Sequence, residues 1–346
     1  MAVRISRRTG LAASGSLLAG ALGKAAPALA TGTTTAGVTF TGQATGVRAN
    51  VLGTQTFIAD TGPQKSTGAG FFHECSLLTA EIPGTLKADV VHAATVGQGD
   101  RVRSEAAQAN LRLMVGGNTI NADFLMARAM ARLSATGCEV RGASDLAKLV
   151  VNGTQILVTG QPNQVVPLPN GQVVVNYQGS WMLGLSCAIH VAALYVVVDG
   201  VAQIAVSEAY AEINGPPPTC PSGNDLVTAA GSITASALGA TAFFGVAAGV
   251  KSNGELSGHL VFVQSGPSGL NVKGTSVTAY TIVSPATRHI EGAAEVNGQA
   301  GVAYQVDVTD NGDPNTHDRF VLRLSNGYMV ASDLLSGCVQ LHLPCG

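Results

Sequence analysis

Charge is scarce in this sequence of 346 residues: 12% of positions are Asp, Glu, Lys or Arg, and the net charge is −2. Beyond the first few residues Lys and Arg form no cluster, so nothing would neutralise a phosphate backbone and nucleic acid is not an expected partner. Aromatic residues make up 5% of the chain, with one tryptophan, Trp181, so platforms for stacking are few. The six cysteines, at 75, 138, 187, 220, 338 and 345, include no Cys-x-x-Cys spacing, which excludes the paired-thiolate zinc pattern. Neither a Gly-x-x-x-x-Gly-Lys loop nor a strand–helix dinucleotide fingerprint occurs, so a nucleotide cofactor has no footing. What is abundant is glycine, 43 residues, together with Val, Ala and Thr, which predicts many strands joined by tight turns.

Residues 1–30 carry a secretory signature: a basic start (Arg4, Arg7, Arg8), an apolar stretch from Leu11 to Leu22, and Ala28-Leu29-Ala30 as a small-residue cleavage site. The mature N-terminus is expected at or near Thr31. Ser6-Arg7-Arg8 faintly resembles a twin-arginine signal, but Gly10 stands where a bulky apolar residue is usual, so the export route stays open. The remaining length suits two domains. "NGPPPTCPSGN" (214–224) can neither continue a helix nor sit in a central strand. It divides the chain into a domain at 32–214, a proline-rich linker at 215–221 and a domain at 222–343, and the second is expected to fold alone.

"WMLGLSCAIHVAALYVVV" (181–198) is long enough to cross a bilayer as a helix. Its Gly184, Ser186 and His190, its β-branched end and the following Asp199-Gly200 hairpin signal instead predict strand, continued by the alternating "VAQIAVSEAYAEI". "ANLRLMVGGNTINADFLMARAMARL" also reads as two strands about Gly116-Gly117 rather than a helix over 122–133. Asn-Gly pairs at 152, 170, 253, 297, 311 and 326 mark further turns, mostly between β-rich runs. The fold class is therefore all-β: two antiparallel β-sandwiches or partly closed barrels joined by the linker.

"LVVNGTQILVTGQPNQVVPLPNGQVVVNYQ" followed by "AALYVVVDGVAQIAVSEAYAEI" resembles the core of the choice-of-anchor P family of bacterial exported proteins. "GSITASALGATAFFGVAAG", "GELSGHLVFV", "TRHIEGAAEVNGQAGVAYQVDVTDNGDPNTHDRFVLRL" and "GYMVASDLLSGCVQLH" resemble the post-COAP-1 module that often follows it. The resemblance covers most of the mature chain and implies an exported protein without an established activity. The family carries varied C-terminal anchors, whereas here "LPCG" after His342 has neither a hydrophobic tail nor a basic end. A sortase-type or transmembrane anchor is therefore not expected, and release from the cell or loose association with the envelope is.

An even cysteine count in an exported chain predicts at least one disulfide among fifteen possible connectivities, with Cys187 alternatively a buried thiol. "GLSCA" (184–188) falls short of a nucleophile elbow because Ala188 replaces the last glycine and no helix follows. On one strand Ser186 and His190 lie about 13 Å apart, too far for proton transfer. His73-Glu74 and His92 read as solvated loop residues. Glu208 with Glu212, and Glu291 with Glu295, alternate with apolar positions and read as solvent faces rather than glycosidase pairs. A non-catalytic structural or binding role is thus expected, with a secreted hydrolase or a carbohydrate-active or glycan-binding protein as the alternative. For glycan binding the one tryptophan, Trp181, sits in an apolar run and the remaining candidate platforms are the six tyrosines, including Tyr177, Tyr195 and Tyr210; the partner would be an envelope or extracellular glycan or protein. "VDVTDNGDPNTHDRFVLRL" (306–324) concentrates the acids. It reads as a hairpin whose aspartates cap a turn, and Asp310, Asp313 and Asp318 could alternatively hold calcium, the one cofactor the sequence suggests.

Overall fold

The computed structural model describes residues 37–68, 70–216, 224–235, 239–251, 253–266, 269–312 and 318–343. The secretory segment, Pro217, Pro218, Cys220, Asp313 and Cys345 lie outside the described residues. Among those described there is no helix, and the protein is all-β. The chain opens with β1 (Thr39–Val51), β2 (Thr54–Asp60), β3 (Gln64–Thr67), β4 (Phe71–Ile82) and β5 (Leu86–Gln98). Next come β6 (Arg101–Val115), β7 (Asn118–Ser134), β8 (Gly137–Ala147), β9 (Val150–Val151) and β10 (Thr154–Gln155). β11 (Gln164–Leu168), β12 (Gly171–Leu183), β13 (Ser186–Val198) and β14 (Ala202–Asn214) reach the proline cluster. Beyond it lie β15 (Leu226–Thr234), β16 (Thr241–Val250), β17 (Leu256–Gln264) and β18 (Leu270–Ile282). β19 (Thr287–Val296), β20 (Gln299–Thr309), β21 (Arg319–Leu324) and β22 (Met329–His342) complete the chain.

The first fourteen strands make two seven-stranded antiparallel sheets. Sheet 1 runs β11-β12-β13-β14-β1-β2, with β3 also on β1; sheet 2 runs β10-β9-β7-β6-β5-β4, with β8 on β7. Their facing sides share one apolar core, including Phe40, Val91, Leu111, Leu125, Val191 and Val206. The Cys138–Cys187 disulfide ties β8 to β13 across it. β15 to β22 form a closed eight-stranded barrel in chain order, shut by pairing of β15 with β22. Its interior is filled by side chains: the Phe244 and Phe320 rings stack at 4.0 Å, and Phe262 lies 6.2 Å from Phe320.

The barrel wall made by β15 to β17 packs on the second side of sheet 2. Ala230, Phe243, Val261 and Val263 meet Val90, Ala107, Phe124 and Met126 in a separate apolar seam. Sheet 2 is consequently buried on both faces, which explains the nearly unbroken, alanine-rich "VVHAATVGQ" and "AAQANL" of β5 and β6. Gly245 is required at this seam, because a Cβ there would come 2.8 Å from that of His92. Polar bonds cross it as well: Gln98 donates to the carbonyls of Asn224 and His342, and Arg103 to that of Leu341. On the barrel's far side β19 alternates strictly, the pattern of a wall with one wet face.

Several expected turns are present. β6 and β7 join through Gly116-Gly117, whereas the 181–198 run, expected as one strand, is the end of β12, a two-residue turn at Gly184-Leu185 and β13. No helix among the described residues is long and apolar enough to cross a membrane. Asp199-Gly200 belongs to a three-residue connection closed by Val201 N–H to Val198 O, one residue longer than the dipeptide suggests. Asn152-Gly153 and Asn297-Gly298 have positive φ at both residues, as primed turns demand. Leu52-Gly53 adopts the same conformation with φ 48° and 81°, although a leucine is strained there. Leu52 is 76% exposed, so Leu52→Asn removes strain without losing packing. It is expected to stabilise the protein by about 1 kcal/mol and raise Tm by about 2 °C. An unchanged or lowered Tm in a thermal scan would count against this.

Candidate functional site

The side of sheet 1 turned away from the core gathers polar and aromatic residues from distant parts of the chain. Strand alternation alone does not place them together. Asn176 and Ser207 take φ 51° in mid-strand and Ala59 takes φ 48°. Each such left-handed residue reverses the alternation: Val206 and Ala209 both enter the core although they differ in parity. The pairing passes over Ser207 of β14 opposite Gly46 of β1 and Ala193 of β13, and this shared break brings Arg48 and Tyr195 onto the same face as Glu208, His190, Tyr177 and Tyr210. Holding non-glycine residues there costs on the order of 1 kcal/mol each, strain of a kind that clusters at functional positions.

Glu208 is the centre of this face. One oxygen accepts from Arg48 Nε at 2.7 Å; the other accepts from Arg48 Nη2 at 2.5 Å and meets His190 Nε2 at 2.6 Å. Burial alone would raise the Glu208 carboxyl, but the hydrogen bonds from Arg48 and His190 outweigh it and hold the group at about 2. The bond to Glu208 in turn raises the Arg48 guanidinium. Tyr177 stands edge-on to His190 with ring centroids 5.5 Å apart and lies 5.1 Å from Tyr195. Tyr210 donates to Glu212 at 2.7 Å, and burial followed by that bond pushes its phenol upward. Trp181, Ala188, Glu212 and Thr41 occupy the next row by register, and Gln43 and Thr45 both donate to Asp60 beyond.

A carboxyl near 2 has no proton to give at neutral pH, and both its oxygens are engaged. Glu208 therefore cannot serve as a general acid, and Glu212 is paired with a tyrosine. The arrangement is a fixed ionic centre framed by aromatic rings. The sequence offers these three tyrosines only among all six, beside Trp181, and gives no sign of Arg48, which lies 160 residues from Glu208 and carries no local motif.

The other candidates fall elsewhere. Ser186 and His190 share β13 and one face, with His190 engaged by Glu208 rather than by the serine. "GLSCA" spans a hairpin turn and runs on as strand. His73, Glu74 and His92 lie on strands, not in loops, and His92 is wholly buried in the seam. Its Nδ1 is 2.8 Å from Ser76 Oγ and its Nε2 3.5 Å from Glu105. These are the residue types of a catalytic triad, but the barrel at Gly245 covers the ring. Glu291 meets His289 at 3.0 Å on the outer side of the barrel.

The acidic stretch of the barrel does form a hairpin, with Tyr304 opposite Leu324 and Val308 opposite Phe320. Asp307 contacts Arg323 and His289, each at 2.6 Å. Asp310 accepts backbone N–H bonds from Gly312 and Leu341, and Asp318 from Asn311 and Val339, which ties this hairpin to β22. Asp313 is outside the described residues, and no group of three or more His, Cys, Asp or Glu among the described residues is placed to hold a metal. With these carboxylate oxygens committed to amides, millimolar calcium is expected to move Tm by less than about 5 °C relative to chelator. A larger rise, abolished by Asp310→Asn with Asp313→Asn, would show a calcium site.

No protein-family model matches the chain, and no curated protein matches it. Among solved structures, the crystal structure of a protein from Nitrosomonas europaea, provisionally described as AttH, aligns over 93% of this chain and 99% of its own. Identity is 7% and the TM-score 0.19, so the likeness carries no argument about function.

Proposed function

We propose that this is an exported, non-catalytic binding protein of the cell envelope or extracellular space, and that the outer face of sheet 1 binds a glycan. The observation that carries the reading is the group Tyr177, Tyr195 and Tyr210 around the fixed Arg48–Glu208–His190 centre. Sugar rings pack on aromatic faces through their C–H groups while hydroxyls bond to polar side chains at the rim. Gln43, Asp60 and Glu212 supply such groups here. Export is supported by the secretory signature, by the resemblance to choice-of-anchor P proteins, and by a disulfide of the kind that persists in oxidising compartments. The test is a glycan array followed by calorimetry. Wild type is expected to bind at least one oligosaccharide, and Tyr177→Ala or Tyr195→Ala to weaken it about tenfold or more with Tm little changed. Absence of any glycan binding by the wild type would sink the reading.

A further inference from the structure

The β12–β13 hairpin ends in an apolar tip that the sheet does not use. Trp181 is 47% exposed, Met182 63%, Leu183 79% and Leu185 42%. From 179 to 189 the sequence "GSWMLGLSCAI" contains no charged residue. Other exposed large apolar residues, such as Leu52, Met114 and Leu157, stand on separate turns and strands. Single exposed apolar residues are ordinary, whereas a contiguous exposed group at a hairpin turn marks a place of contact.

The tip is also held stiffly. Pairing of β12 with β13 continues to Leu183 opposite Ser186, and Gly184 takes φ 60° in the turn. Gly215 N–H bonds to Leu185 O at 3.1 Å, fastening the turn to the end of β14. Cys187, opposite Met182, is linked to Cys138 on the facing sheet. A tip held in this way loses little conformational freedom on contact.

We propose that residues 181–185 insert into the interfacial region of a lipid bilayer and hold the protein against a membrane surface. A hairpin turn of four apolar side chains is far too small for a stable protein interface, which buries on the order of 1,200 Å² or more. It is the right size to enter the boundary between headgroups and acyl chains, where an indole such as that of Trp181 settles with its N–H toward water. The hairpin offers no basic cluster, so the attraction is apolar burial and requires neither anionic lipid nor low salt.

Trp181 is the single tryptophan of the chain and therefore reports on the tip directly. The chain from Thr31 onward, mixed with glycan-free phosphatidylcholine vesicles, is expected to show a blue shift of Trp emission and quenching by brominated lipid. It is also expected to co-float with the vesicles to a similar extent in low and high salt. Leu183→Asp is expected to reduce partitioning about tenfold or more. Leu157→Asp, an equally exposed leucine elsewhere, is expected to leave partitioning unchanged. The proposal is overturned if wild-type emission does not move and no protein floats. Binding that needs anionic lipid and vanishes in salt overturns it too, as does concentration-dependent self-association that shields Trp181 in the absence of lipid. Should Leu183→Asp fail to fold, lipid quenching of the wild type still decides. Because the vesicles carry no sugar, failure here leaves the glycan-binding reading standing.

Discussion

Asp225→Ala is expected to cost about 3–5 kcal/mol, the penalty of leaving one member of a buried ion pair alone. Arg288 is 2% exposed, and its Nε and Nη2 meet the two oxygens of Asp225 at 2.6 and 2.7 Å. Its Nη1 bonds to the carbonyls of Ser284 and Thr287, and Tyr280 donates to the same carboxylate. The carboxylate thus fastens the entry of β15 to the β18–β19 turn at one end of the barrel. Without it the guanidinium keeps only carbonyl partners and its charge stays in the interior. Thermal unfolding is expected to fall by roughly 10 °C, and Asp225→Leu with Arg288→Met to recover much of the loss. A single variant that loses under about 1 kcal/mol would show that water reaches the guanidinium readily.

Acid is expected to weaken the protein well before its carboxylates are neutralised. His259 on β17 is held at about 4, first by burial and then by the charges of His92 and Lys273. His342 on β22 is wholly buried, its Nε2 2.8 Å from Thr228 Oγ1, and burial followed by Arg103 and Arg101 keeps it far below the ordinary histidine value. In both cases the folded value is below the unfolded one. Between about pH 6.5 and 4 the unfolded chain therefore binds more protons, and stability falls as pH falls. His259 alone accounts for about 3 kcal/mol over that interval. Glu74, raised chiefly by burial, works in the opposite sense, and so does His289, where Asp307 and Glu291 outweigh burial. Glu208 adds a further loss from about 4.5 down to about 2. Urea unfolding at pH 7.5 and 4.5 is expected to differ by about 3 kcal/mol or more, and His259→Gln to flatten the slope. A profile flat across this range would falsify the assignment of neutral, buried histidines.

The sequence made some of this legible and hid the rest for identifiable reasons. The alternation of β20 and β21 around Val306 and Leu322 is visible because that wall has one wet face. The turn at Gly116-Gly117 is visible because glycine pairs punctuate. Barrel closure is not, since pairing of Leu226 with His342 leaves no local trace. His92 looks like a loop residue because a strand buried on both faces loses its period. Arg48 and Tyr195 fall on the wrong face by simple alternation until the breaks at Gly46 and Ala193, opposite the left-handed Ser207, are known. The candidate platforms Tyr177, Tyr195 and Tyr210 could be named from composition, but their convergence on Glu208 could not.

The order of strands within sheet 1 has a kinetic consequence. β1 lies between β14 and β2, so its main partner is synthesised some 160 residues after it, and Thr39 waits for Asn214. Meanwhile the faces of sheet 2 that carry Phe124 and Met126 stay uncovered until β15 to β17 arrive. High contact order and a late cover together make for slow folding and a sticky intermediate. Small residues at Ala107 and Ala109 keep that face only mildly adhesive. Replacing them with larger apolar residues would make that face more adhesive while it waits for its cover and would overpack the finished seam.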